Sequence, residues 1–319
     1  MMKKTINQTC KLLAASALLS SVFAGTVAMA ADYPNRPVKF IVPWPPGDLE
    51  DVLTRIIAEE MSKETGVPAT VVNKPGGGGV LGATTVAQSR PDGSVIGSFV
   101  VDLLTTQVVG GNAPYSADAF VPVGIFLDYP FVLAVKSDAP YNTLGELADY
   151  AKSHQVSLGH FGYQATPTAI TFKAADKLNF KFASDSAFDA LDCSTLANGD
   201  ADVINTTTQL ILPCLDSKEV KLLTSFTYNR LVISPDIPTL SEAAGISQTL
   251  WNGLFVKKGT PQATIDKIAS IAEQALQRPE VLKLQATTGA GVYWTSADNA
   301  KKLVEHDYKN AEELSKYVN

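Results

Sequence analysis

Four carboxylates and one glycine run are the groups in this 319-residue chain whose types and spacing could do chemistry. Asp48, Glu50 and Asp51 cluster, and Asp102 follows the apolar run Val95–Val101. Close carboxylates can serve general acid–base catalysis. Asp48, however, is a natural helix N-cap, and acids such as Asp51 in a first turn favour the helix dipole. Gly77-Gly78-Gly79-Val80-Leu81-Gly82 satisfies G-x-G-x-x-G, with Asp102 about 20 residues beyond, as in a dinucleotide site. Against that reading, the motif follows the second strand pattern rather than the first, and four consecutive glycines match many templates. A secreted dinucleotide-dependent oxidoreductase is therefore the enzyme alternative, and the leading expectation is no enzyme and no cofactor. G-x-S-x-G is absent. His154, His160 and His306 lack metal-ligand spacing, so no metal site is expected. Only His160, on a strand-end loop, is placed to touch a ligand.

The elements that position these groups alternate between short apolar runs and amphipathic ones. Val38–Arg55 reads as strand, tight loop (Pro43, Pro45, Pro46, Gly47) and helix. That arrangement aims unpaired backbone N–H groups at one point, where an anion or oxygen-rich ligand can sit. Ala69–Val72 is a strand leading into Asn73–Gly79, then a helix with Val80, Ala83 and Ala87 on one face. Val121–Phe126 and Phe131–Val135 are strands around Asp128-Tyr129-Pro130. A second unit repeats the plan: strand Val156–Gly159, loop His160–Thr166, and a helix capped by Thr166 with Pro167 first. Strands over Phe180–Ala183, Ala201–Ile204 and Leu222–Ser225 follow, with a helix over Ala187–Ala197 closed by Gly199. The chain returns through strand Leu254–Val256 to a final amphipathic helix with Leu303, Val304, Tyr308 and Leu314. Repeated βα alternation implies α/β lobes with mostly parallel sheets and ligands at strand carboxyl ends. Two such halves suggest two lobes around a cleft.

Lys3, Lys4 and Lys11, the apolar stretch Leu12–Val27 and Ala28-Met29-Ala30 read as a cleavable secretory signal. Cleavage after Ala30 removes three lysines and no acids, so the formal charge of −6 becomes −9 on 289 residues. An acidic chain without a basic run argues against nucleic acid and anionic membranes as partners. Cys193 and Cys214 remain in an oxidising compartment, where they are a candidate disulfide or two buried thiols.

Tyr33-Pro34-Asn35-Arg36-Pro37 and Ile41–Gly47, with Asp51 and Arg55, resemble the opening signature of the Bug family. These are the periplasmic solute-binding proteins of tripartite tricarboxylate transporters. Asn73-Lys74-Pro75-Gly76-Gly77-Gly78, Pro91-Asp92-Gly93, Pro238–Gly245, Trp251-Asn252-Gly253-Leu254 and Gly259-Thr260-Pro261 are similar to its later blocks. The resemblance implies a periplasmic-binding-protein-like α/β fold of two lobes that close on a solute (a Venus flytrap). It divides the chain into signal 1–30, lobe 1 from 31–128 and 236–319, and lobe 2 from 129–235. It implies a monomer that takes a small carboxylate and delivers it to membrane permease components. The ligand-binding residues implied are Trp44, Pro46, Gly47, Asp48 and Asp51 in the first loop, and Gly76, Gly77 and Gly78 in the second. Asp102, Asp128 and the second-lobe residues His160, Tyr163, Gln164, Thr166 and Thr168 complete the set. Three departures bear on the ligand. Asp48 stands where the family usually has glycine, and Glu50 where it has a small polar residue. Asp102 replaces glycine, serine or threonine, and Thr168-Ala169 occupy the neighbourhood of a histidine. If these acids point inward, a bare dicarboxylate is disfavoured and an amine-bearing or neutral solute becomes the alternative.

Overall fold

In the computed structural model, which describes residues 33–317, β1 (Val38–Val42) buries Val38, Phe40, Ile41 and Val42. The helix Leu49–Thr65 then starts at Asp48, whose carboxylate accepts the Leu49 N–H at 2.8 Å, and stops at Gly66 with φ 71°. Its buried stripe of Leu49, Leu53, Ile57 and Met61 recurs at every fourth residue, as an amphipathic helix requires. The signal-peptide reading of residues 1–30 lies outside the described residues.

β2 (Ala69–Asn73), β3 (Val95–Val100), β4 (Phe120–Asp128), β10 (Trp251–Lys257) and β11 (Gly291–Ser296) join β1 in one sheet, in the order β11-β4-β10-β3-β1-β2. β1 runs parallel to β2 and β3, whereas β10 runs antiparallel to both β3 and β4. The second sheet contains β5 (Phe131–Lys136), β6 (Ser157–His160), β7 (Ser184–Ala187), β8 (Val203–Thr207) and β9 (Val220–Ser225), in the order β7-β6-β8-β5-β9. β6 is parallel to β7 and β8, and β5 is antiparallel to β8 and β9. The expected mostly parallel sheets are thus mixed. The chain crosses between sheets directly at β4–β5 and returns at β10 after the short helix Leu240–Ala244, and both β5 and β10 pair antiparallel with their neighbours.

Each sheet has its own core. Phe40, Ile57, Ile96, Phe99 and Phe255 fill the first. Val132, Leu196, Ile204, Ile211 and Leu222 form the second, against which Cys193 packs. Cys193 and Cys214 are bonded, with Cα atoms 5.8 Å apart. The strand expected over Phe180–Ala183 lies instead at β7, and the helix expected from Ala187 starts only at Cys193, capped by Asp192. Phe180 turns inward to Phe182, at 5.2 Å between ring centroids, so its apolar run packs rather than pairs. Both sheets belong to one compact unit beginning at Pro34. Among the described residues no helix is long and apolar enough to cross a membrane.

Candidate functional site

The site forms where loops at the carboxyl ends of both sheets meet. Gly47, at φ 115°, turns the chain between β1 and its helix, and its N–H donates to Asp51 Oδ2 at 3.1 Å. Asp51 also takes a two-pronged contact from Arg55, at 2.9 and 3.0 Å, and the Asn73 amide at 2.8 Å. Asn73 Nδ2 reaches the Trp44 carbonyl at 3.0 Å, so this knot fixes the first loop to the start of the second. Arg55, behind this loop, is therefore committed to Asp51 and Asn73.

A cavity of about 70 Å³ lies between the sheets. A water needs roughly 10–15 Å³ on this measure, so the space suits one small solute. From the first sheet come Trp44, Pro46, Asp48, Glu50, Asp102 and Trp251, and from the second Phe131, Phe161, Ala165, Pro167, Asp189 and Leu210. Tyr129, on the crossing between sheets, closes it. Trp44, Phe161, Phe131 and Tyr129 meet edge to face in a continuous arc, with successive centroids 6.3, 5.9 and 5.5 Å apart. A second, wider cavity of about 540 Å³ shares Trp44, Phe161 and Asp189 with the first. It adds Gly77, Gly78, Gln107, Tyr163 and Gln164.

Hydrogen bonds tie the lobes together across this space. Thr207 on β8 donates to Asp48 Oδ1 at 2.7 Å, and the Thr166 N–H donates to Asp102 Oδ1 at 2.9 Å. Thr106 Oγ1 donates to the Gln164 carbonyl. Tyr129 donates to Glu50 Oε2 at 3.2 Å. Two of these contacts use a carboxylate of the first lobe as the acceptor at a helix N-terminus. Asp48 caps Leu49–Thr65, and Asp102 meets the first N–H of the helix Thr166–Lys177. Thr166 is thus the first helical residue, not the cap; Ala165 holds that position, because Asp102 supplies the acceptor a capping side chain would otherwise provide.

Burial dominates the acid chemistry. Glu50 and Asp102 are 2% and 4% exposed. Burial pushes Asp102 up to about 6, against the lowering effect of its Thr166 contacts. Burial likewise raises Asp48 to about 6, offset in part by the Thr207 hydroxyl and the Leu49 N–H. Glu50 rises well above the usual carboxylate range, first from burial and then from the neighbouring Asp48 charge. Among the described residues no lysine, arginine or histidine pairs with Asp48, Glu50 or Asp102, and no cluster of histidine, cysteine and acids could hold a metal.

Of the residues expected from the sequence, Trp44, Pro46, Asp48 and Asp102 line the smaller cavity, and Trp44, Gly77, Gly78, Tyr163 and Gln164 the larger. Gly47 and Asp51 belong to the knot behind the first loop. Gly76 sits at φ 124° and accepts from the Leu81 N–H. Asp128 accepts from Tyr293 at 3.0 Å at the end of β4. His160 is fully buried; its Nδ1 accepts from Gly162 N–H, which leaves Nε2 to donate to Asp185 at 3.0 Å. Thr166 and Thr168 are buried beneath the cavity-lining Ala165 and Pro167. Tyr129, Phe131, Phe161, Leu210 and Trp251 also line the smaller cavity, although apolar side chains beside strands read in the sequence as core. Position marks Tyr129 and Phe131, at the crossing Asp128-Tyr129-Pro130, and Phe161, inside the His160–Thr166 loop; Trp251 is marked by the block Trp251-Asn252-Gly253-Leu254, and nothing in the sequence marks Leu210.

The profile described as tripartite tricarboxylate transporter family receptor matches residues 53–319. A UPF0065 protein from the tcbD-tcbE intergenic region of a Pseudomonas species is 28% identical over 304 residues, covering 90% of this chain and 89% of that protein. MatC from Rhodopseudomonas palustris, solved with bound malate, superposes with a TM-score of 0.81 at 26% identity, over 89% of this chain and all of that one (100%). The periplasmic binding protein BugD gives a TM-score of 0.81 at 27% identity, over 90% and 98% of the two chains. The family is described as a transporter receptor and BugD as a periplasmic binding protein, so the dinucleotide reading of Gly77–Gly82 with Asp102 is set aside. By the extent of the profile match, this chain belongs to the tripartite tricarboxylate transporter receptor family.

Proposed function

We propose that this protein is exported to the periplasm, where it captures a small organic solute between its lobes and delivers it to the membrane permease components of a tripartite tricarboxylate-type transporter. The observation that carries this reading is the cavity between the sheets, walled by residues of both and closed by inter-lobe hydrogen bonds from Thr207 to Asp48 and from Thr166 to Asp102. A solute that touches both walls binds the closed arrangement better than an open one, and that difference is all a receptor needs to report occupancy. Residues 31–128 and 236–319 act as one lobe and 129–235 as the other. The working unit is the monomer after loss of residues 1–30.

The malate-bound relative brings a carboxylate as the first solute class to try. A thermal-shift panel on the mature protein tests the reading. A solute present at about 100 times its Kd stabilises the folded state by about 2.7 kcal/mol, a readily measured rise in Tm. A rise with one narrow chemical class, abolished by filling the cavity through Ala165→Trp, is the expected result. Absence of any shift across carboxylates, amino acids, amines and neutral polyols refutes the reading.

A further inference from the structure

We infer that the solute taken by this cleft carries a protonated amine, seated against Asp48, Glu50 and Asp102 within the aromatic arc. The inference rests on the reading of the cavity as the solute site and specifies which solute fits it.

A helix N-terminus meeting a cavity ordinarily offers N–H donors to an incoming carboxylate. Here the first N–H of each such terminus is already taken by an acid of the chain itself: Asp48 accepts from Leu49 N–H and Asp102 from Thr166 N–H. Arg55, the cation behind the first loop, is held by Asp51 and Asn73. Apart from the unpartnered Trp44 Nε1, an arriving carboxylate would therefore meet chiefly acceptors, and acids rather than cations. An ammonium group meets the reverse.

Two further features point the same way. Glu50 is 2% exposed and lines the cavity, where Tyr129 donates to its Oε2 at 3.2 Å and no cationic side chain pairs with it among the described residues. A buried carboxylate without a counter-charge is costly to retain unless something cationic pairs with it. Independently, Trp44, Phe161, Phe131 and Tyr129 present ring after ring to the same small volume. Aromatic faces attract ammonium groups, most strongly where water is excluded. Acids at one end and rings around it make a cation box.

Isothermal titration calorimetry on the mature protein tests this, with butylamine, putrescine, lysine and choline set against malate and adipate, at pH 5.5 and 8. The groups facing the solute are Asp48, Glu50 and Asp102, with Tyr129 on the crossing, Asp189 at the mouth, and the Asp51–Arg55 pair behind the loop. Burial raises the three central acids. They lose protons as pH rises, so amine affinity should increase from pH 5.5 to 8 and dicarboxylate affinity should fall. The expected result is saturable binding of at least one amine, tighter at pH 8 and weakened about 10-fold or more in Glu50→Gln and in Asp102→Asn. Both variants remove buried charge while keeping shape, and circular dichroism checks that they fold. Malate or adipate binding with no amine binding overturns the inference and leaves the solute-receptor reading standing. Amine binding unaffected by either substitution also overturns it. Binding by neither class overturns the inference and leaves the solute-receptor reading to the thermal-shift panel with its neutral solutes.

Discussion

Replacing Asp102 by asparagine should make the solute-free protein more stable at neutral pH. The Asp102 carboxyl is 4% exposed, accepts the Thr166 N–H at 2.9 Å, and has no cation beside it. Burial raises it from 3.8 to about 6. A group that holds its proton more tightly when folded costs nothing below about pH 3.8, where both states are protonated. Its penalty grows as pH rises toward 6 and is complete above that. A rise of roughly two pH units at 1.36 kcal/mol each amounts to about 3 kcal/mol. Asparagine keeps the acceptor oxygen for Thr166 and removes the charge. Urea melts of both proteins at pH 4, 5, 6 and 7.5 should give nearly equal stabilities at pH 4. The gap should open through the window and reach about 3 kcal/mol in favour of Asp102→Asn at pH 7.5. A variant less stable than the parent at pH 7.5, or a gap that does not change with pH, would refute the electrostatic reasoning.

Thr207→Val deletes the hydroxyl that joins β8 to Asp48 across the cleft. The cost should be about 1.5–3 kcal/mol in urea melts, as for a hydrogen bond to a charged group. The radius of gyration measured by small-angle scattering should rise as the lobes part, and an unchanged radius argues against Thr207 as a latch. Asp51→Ala strips the acceptor from Gly47, Arg55 and Asn73 at once. With Arg55 half exposed, the loss should fall at about 2–4 kcal/mol, accompanied by weakened solute binding; a shift below 1 kcal/mol would show that the first loop stands without its knot. Reducing Cys193–Cys214, which spans 21 residues in sequence, should cost about 3 kcal/mol by the loop-entropy estimate. Because both cysteines belong to the second lobe's core, solute affinity at low urea should change little.

The local parts of this molecule were legible because they follow local rules. Asp48 caps its helix as the spacing of polar and apolar residues required, and the Gly76–Gly79 run turns at positive φ as such a run must. The two-lobe plan followed from the repeated strand–loop–helix units, and the cysteine pair, open in the sequence between a disulfide and two buried thiols, is a disulfide joining neighbouring helices. What escaped depends on contacts far apart in sequence. Asp102 takes the acceptor role at Thr166 from 64 positions away, which no capping rule can register. β11 pairs antiparallel with β4, a partner more than 160 residues earlier, as in Gly291 opposite Asp128. Phe131 and Phe161 carry the apolar signature of a core, and only the meeting of the two sheets turns their faces toward a cavity. Glu50 reads locally as a first-turn acid favouring the helix dipole. Its burial beside Asp48 and Tyr129 is a product of the closed cleft.

The most direct test is a crystal structure of the mature protein with whichever probe most raises its Tm. The account predicts electron density for the solute in the cavity between the sheets, within contact of Trp44 and Phe161, with a nitrogen facing Glu50, Asp48 or Asp102. Density confined to the wider cavity at Gly77 and Gly78, or a carboxylate lodged against the three acids with Asp102 still on Thr166, would contradict it.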